Sequence, residues 1–321
     1  RLGLRWAALM SVDGDSPRPG PVPGRPAGLG DVLDALIRLY RRQGRLLLGI
    51  CAVVEIPVFV VSTALSARLV TAMTSLLGFS PLDPPATMPT TFPPFDPAVV
   101  AQALAVFGTL VVVGLVSGAV TTAGLALAVA DVVGGRLPSI LGTLRRLLRL
   151  VSGLIVGEAL FLLVVGGLLI AGSIVSGALL GLVPDPAGGG ILVFIVIVVF
   201  VVVVASVAFL ALRLGFWPQV MALEGRSAPA ALRRSWQLVT GSTWRVLGYT
   251  LILVLADWTL TLLLSQLGDV VLGVAGSSGT VVVVIGVAWN VALTILVAPI
   301  LPVGLSLLFL DLRRPGLANG G

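Results

Sequence analysis

Six apolar stretches, each long enough to cross a bilayer, constrain this chain more than any other feature. They fall at about 46–67, 98–130, 150–180, 191–212, 244–265 and 281–310. A helix of ~20 residues suffices for the ~30 Å of hydrocarbon in a membrane. The fourth stretch, ILVFIVIVVFVVVVASVAFLAL, is rich enough in Val and Ile to suit a strand. Its length decides for a helix, because in lipid only a helix or a closed barrel satisfies every backbone group. The composition agrees. Of 321 residues, 57% are hydrophobic and 11% charged, too few polar groups to cover a soluble domain of this size. One integral membrane domain is expected in place of two soluble ones.

The arginines set the expected topology. All 20 basic residues are Arg, and the chain has no Lys and no His. Nineteen lie in the N-terminal segment, the 131–149 loop, the 213–245 loop and the C-terminal DLRR, and only Arg68 lies on the other side. The opposite connections carry Asp83, Asp96, Asp185 and Asp269. Basic residues stay cytoplasmic, which predicts six spans with both termini in the cytoplasm. The net charge of +6 is thereby accounted for at span ends, and no nucleic-acid partner is expected. Residues 1–28 read as a disordered Pro/Arg-rich tail, with Pro17, Pro19, Pro21, Pro23 and Pro26 among small residues. The opening RLGLRWAALM is too short to span and precedes no convincing cleavage site, so no signal peptide is expected. Residues 315–321 read as a short tail. Cys51, the one cysteine, reads as a small buried hydrophobe.

A threefold pattern runs through the domain. DVLDALIRLYRRQ (31–43), PSILGTLRRLLRL (138–150) and APAALRRSWQLVT (228–240) each precede an odd-numbered span. On a 3.6-residue wheel Val32, Leu33, Leu36, Leu39 and Tyr40 oppose Asp34, Arg38, Arg41 and Arg42. Ile140, Leu141, Leu144, Leu147 and Leu148 oppose Arg145, Arg146 and Arg149. Leu232, Trp236 and Val239 oppose Arg233, Arg234 and Gln237. Each segment is predicted to be an amphipathic helix in the cytoplasmic interface. Asp31 suits a cap, and Pro138 and Pro229 suit a first helical turn. The domain then reads as approximate repeats 29–130, 137–212 and 227–310. The GxxxG pairs Gly114/Gly118 and Gly153/Gly157 predict close helix packing, and Pro299 and Pro302 predict a kink in the last span.

GLGDVLDALIRLYRRQGRLLLGICAVVEIP, ALEGRSAPAALRRSWQLVTGSTWRVLGY and LLFLDLRRPG resemble the membrane domain associated with glycerophosphodiester phosphodiesterases and related stand-alone six-span bacterial proteins. The resemblance covers roughly residues 29–314, and ALRRSWQL…WRVLG is its most specific part. It implies a six-helix integral domain of the bacterial cytoplasmic membrane. The hydrolase of fused relatives is a separate soluble domain that uses His and acidic residues, so its activity is not carried over to this His-free chain.

No catalytic constellation is visible. Cys/His zinc sites, a Ser-His-Asp device and a Walker lysine lack their residues, and no cofactor is expected. Three acids inside spans form the candidate polar site: Glu55, Glu158 and Asp257, one in the first span of each repeat, with Asn290 as a neutral partner. They sit ~8–13 residues in, or ~12–20 Å deep. An unpaired intramembrane charge costs several kcal/mol, so hydration, protonation or hydrogen bonding is expected. They suit either a proton-coupled cavity or polar bridges between helices. The candidate contacts to lipid head groups are Arg41, Arg42, Arg145, Arg146, Arg149, Arg233, Arg234, Trp236, Trp244 and Arg245, through anionic head groups and the aromatic belt. The expected role is a non-enzymatic accessory or scaffold protein of the cell envelope. Its expected partners are anionic lipids and a membrane or cytoplasmic protein. The alternatives are a small transporter or channel, and the membrane partner of a separately encoded phosphodiesterase.

Overall fold

The computed structural model describes residues 28–78, 96–181, 190–274 and 280–313, and among them every regular element is a helix. The long helices are α1 (Leu29–Leu77), α2 (Pro97–Val133), α4 (Val151–Gly181), α5 (Gly190–Leu214) and α8 (Thr243–Val274). The last span is a broken pair, α9 (Thr280–Val297) and α10 (Ile300–Leu312). Short helices α3 (Ile140–Leu148), α6 (Trp217–Glu224) and α7 (Ala228–Val239) complete the set. Six helices are long and apolar enough to cross a membrane, the makeup of a multi-pass membrane protein. Asp83, Asp185, most of the Pro-rich connection after the first span, residues 1–27 and the 315–321 tail lie outside the described residues.

Local chemistry explains the boundaries. The Gly28 N–H donates to the Asp31 carboxylate at 2.8 Å, so Asp31 caps α1 from inside its first turn. The backbone of Gln43 (φ −125°, ψ 18°) kinks α1 between its arginine-bearing start and its span. Ser139 caps α3 by accepting from the Gly142 N–H at 3.1 Å. Pro138 therefore lies before that cap and not in the first turn, because a hydroxyl satisfies the free N–H groups that a proline cannot. Pro229 does occupy the first turn of α7. The last span breaks at Pro299, which lacks the N–H needed to continue α9. Beside the break, the Tyr40 hydroxyl donates to the Leu296 carbonyl at 3.0 Å.

The packed core lies at the arginine-rich end. Leu36, Ile50, Val129, Val220, Leu308 and Phe309 are buried together there. Far from that end, Val60, Leu104, Ile174, Phe194, Leu263 and Val284 are exposed. Lipid tails are as apolar as Leu, so packing those halves together gains no hydrophobic energy. Sequential spans still pack in pairs, α1 with α2, α4 with α5 and α8 with α9. The 213–245 connection holds α7, where a helix over 228–240 is expected, and α6, where none is. α6 is buried along most of its length and packs on α2, α4 and α7. Gly153 and Gly157 admit it: a Cβ on Gly153 would lie 2.7 Å from Met221 Cε, and one on Gly157 would overlap the Trp217 ring. That GxxxG pair receives a short helix in place of a second span. Gly114 and Gly118 have nothing within 4 Å, so their spacing brings no neighbour close.

Candidate functional site

Three carboxylates at the ends of helices are held by arginine, Asp131 and Asp311 buried and Glu224 half-buried. Asp131, in the last turn of α2, has 6% side-chain exposure. It pairs with Arg136 at 2.9 Å through one oxygen and with Arg146 of α3 through the other. Glu224 ends α6 with 9% exposure. It meets Arg226 at 2.9 Å, Arg313 at 3.3 Å and Arg234 of α7 at 3.6 Å. Asp311, in the last turn of α10, is 1% exposed and pairs with Arg245 at the start of α8. The negative end of a helix dipole adds to the charge at each place, so cations are favoured there.

Backbone turns aim these arginines. After α2, Gly135 takes φ 72°, its N–H donates to the Val132 carbonyl, and the Arg136 N–H donates to the Asp131 carbonyl, both at 2.9 Å. This double closure folds Arg136 back over the helix end that carries Asp131. Gly225 does similar work at φ 63°, returning Arg226 to Glu224.

ALRRSWQLVT supplies a second set of interactions at this end. Arg234 turns inward to Glu224, and Arg233 faces outward. Ser235 is fully buried at the join of α5 and α6. Its hydroxyl donates to the Arg213 carbonyl at 2.8 Å and accepts from the Phe216 N–H at 3.1 Å. The Arg213 guanidinium lies 4.7 Å from the ring centres of both Phe209 and Trp236. Such stacking contributes about 0.5–2 kcal/mol per ring. Trp244 is 84% exposed.

Of the ten expected head-group residues, Arg146, Arg234 and Arg245 are engaged by acids at helix ends, and Arg41, Arg42, Arg145, Arg149 and Arg233 are exposed, as is Arg146. The intramembrane residues take separate places. Glu55 accepts from the Thr121 hydroxyl at 2.7 Å and so ties α1 to α2. Glu158 is buried, and its Oε1 meets no hydrogen-bond partner among the described residues. Asp257 is half-buried. Asn290 is exposed and donates to the Gly286 carbonyl of its own helix at 2.9 Å, not to an acid. Among the described residues no three His, Cys, Asp or Glu groups lie where one metal ion could join them. The three acids therefore do not share a single ion-sized site.

Among the described residues, a cavity lies on each of two sides of the core. One, of about 290 Å³, lies between α2, α3, α6 and α10, with Asp131, Arg136, Arg146 and Arg313 in its wall. The other, of about 330 Å³, is apolar and bounded by Leu36, Tyr40, Leu260 and Leu296, with Arg41 beside it. Neither is lined by Glu55, Glu158 or Asp257. The sequence reading missed Asp131, Glu224 and Asp311. Their shared signal is an acid at a span's end followed within five residues by Arg, in ADVVGGR, LEGR and LDLR.

No curated protein matches the chain, and no solved structure matches it. A family profile described as a domain of unknown function, DUF7847, matches residues 29–302. The matched region takes in five spans whole, the sixth as far as residue 302, and two of the three arginine-held carboxylates, and the chain belongs to that family.

Proposed function

We propose that this chain is a non-enzymatic scaffold of a bacterial cytoplasmic membrane that engages anionic lipid through its arginine-rich end. Both termini face the cytoplasm, and three helical hairpins are each led by an amphipathic interfacial helix. The observation that carries this reading is the arrangement of charge at one end of the bundle. Acids at helix ends engage Arg146, Arg234 and Arg245, and Arg41, Arg42, Arg145, Arg149 and Arg233 are exposed at the same end. Exposed arginine near a membrane surface attracts anionic head groups by about 1 kcal/mol each. The sequential pairing of spans supports the hairpins. The exposure of Leu141 and Leu148, with Thr143 and Leu147 buried, supports α3 lying with one face in lipid.

The scaffold reading fits the separate placement of the intramembrane acids, one of which is already used to join α1 and α2. A transport reading draws on one observation, the buried Glu158 oxygen without a partner. Proton flux separates the two. Proteoliposomes carrying a trapped pH dye should leak protons no faster than empty vesicles, with the native chain and with Glu158→Gln alike. A leak that Glu158→Gln abolishes overturns the scaffold assignment in favour of transport.

A further inference from the structure

We infer that the cavity between α2, α3, α6 and α10 is a binding site for a single phosphate group. Three arginines from separate parts of the chain line it: Arg136 after α2, Arg146 on α3 and Arg313 after α10. Each contacts a carboxylate through one nitrogen, Nη2 of Arg136 and Nη2 of Arg146 on Asp131, and Nε of Arg313 on Glu224. A guanidinium has five N–H donors in a rigid fork, so each keeps donors for a second acceptor. The carboxylates hold the forks in place before any ligand arrives, which lowers the ordering cost of binding.

The charge balance gives the sign of the ligand. Around the cavity and the adjoining Glu224, five guanidinium groups (Arg136, Arg146, Arg226, Arg234 and Arg313) meet two carboxylates, an excess of three positive charges. Both Asp131 oxygens already accept from arginine, so neither is left bare toward an anion. Planar forks converging on one volume match the several oxygens of phosphate better than a lone carboxylate. The size, about 290 Å³, is at the bottom of the ~300–1,000 Å³ range of drug-sized sites and suits a head group. Leu127, Leu223 and Leu310 give the cavity an apolar wall, so a phosphate esterified to a short aliphatic unit fits as well as the free ion. The source is either a lipid head group or a soluble phosphate.

This inference rests on the anionic-lipid reading only for the lipid source. The test uses the full chain in nanodiscs of phosphatidylcholine with and without 20% phosphatidic acid, and in detergent with inorganic phosphate. Lipid retention is read by native mass spectrometry and phosphate binding by titration calorimetry. The variants are Arg136→Gln, Arg313→Gln and the double variant, with Arg233→Gln as an outward-facing control. Arg136 is 73% exposed on its side chain, and Asp131 keeps Arg146 when it is lost, so Arg136→Gln is the variant least able to disturb folding. A cavity site predicts about fivefold weaker binding per lost arginine, little change for Arg233→Gln, and partial rescue by Arg136→Lys. Loss of phosphatidic acid retention identifies the lipid source, and loss of inorganic phosphate binding identifies the soluble one. If folded Arg136→Gln and the double variant bind both probes like the native chain, the site is overturned. If the native chain then still prefers phosphatidic acid, only the cavity fails. If it shows no preference for the anionic lipid, the broader reading fails with it.

Discussion

Gly157→Ala tests how the core at the arginine-rich end is assembled. In α4 the added methyl group would overlap the six-membered ring of Trp217, at 2.7 Å from Cε3 and 2.8 Å from Cη2. The ring has little room to retreat: Trp217 is 3% exposed and α6 is packed on α2, α4 and α7. Overpacking of this kind costs about 1–3 kcal/mol. Replacing glycine by alanine inside a helix also stabilises it by about 0.8–1.0 kcal/mol, which would hide part of the clash. Gly167→Ala, in the same helix with nothing within 4 Å, shares the helix gain without the clash. The difference between the two variants therefore isolates the steric cost. Thermal unfolding in one detergent should place Gly157→Ala about 2–12 °C below Gly167→Ala, at 2–4 °C per kcal/mol. Trp217→Leu in the Gly157→Ala background should cost less than Trp217→Leu alone, because the methyl group fills space that the indole leaves. Coincident melting of Gly157→Ala and Gly167→Ala would refute the packing of α6 into α4.

Three other substitutions probe the same end and the span above it. Ser235→Ala strips partners from the Arg213 carbonyl and the Phe216 N–H, both held by one hydroxyl. Denaturation should show a loss of about 1–3 kcal/mol, far more than for Ser152→Ala on an exposed face of α4. Arg146→Met should destabilise the chain by more than Arg145→Met, since only the former holds Asp131. Breaking a buried pair outright costs about 3–5 kcal/mol, and Arg136 retains part of it, so an intermediate loss is expected in the same assay. Glu55→Gln keeps an oxygen for the Thr121 hydroxyl and should unfold like the native chain, whereas Glu55→Leu should lose about 0.6–1.7 kcal/mol. Equal stability of the two Glu55 variants would remove that bond from the account.

The spans were legible because lipid imposes one rule on every residue of a span. A run such as 191–212 has no alternative to a helix, and α5 occupies Gly190–Leu214. The break in the last span was equally legible, since Pro299 removes a donor whatever surrounds it. α6 was not. WPQVMALE follows directly on a span, carries a proline in its first turn, and holds a Gln that is fully buried. Its close packing on α4 depends on Gly153 and Gly157, 60 or more residues earlier, and no local pattern reports that. The acids failed for a related reason. Asp131, Glu224 and Asp311 each stand at the polar edge of an apolar run, where a solvated residue is the ordinary expectation. Glu55, Glu158 and Asp257 drew notice because they interrupt apolar runs.

The paired arginines follow from helix geometry. Consecutive residues on a helix are about 100° apart. Where a helix borders both a core and an interface, two adjacent arginines cannot point the same way. In α3 both arginines are exposed but Arg146 alone of the two pairs with Asp131, and in α7 Arg234 reaches Glu224 while Arg233 is exposed. The pairing member neutralises the acid and fixes the helix to the bundle. The other member, Arg145 or Arg233, is exposed. An acid at the end of a preceding helix and an RR pair on the next short helix thus form one device, used twice here with Asp131 and Glu224. At Asp311 the pairing cation comes from the start of α8, since no short helix follows α10 among the described residues. Arginine near the ends of the apolar spans here holds helices to one another.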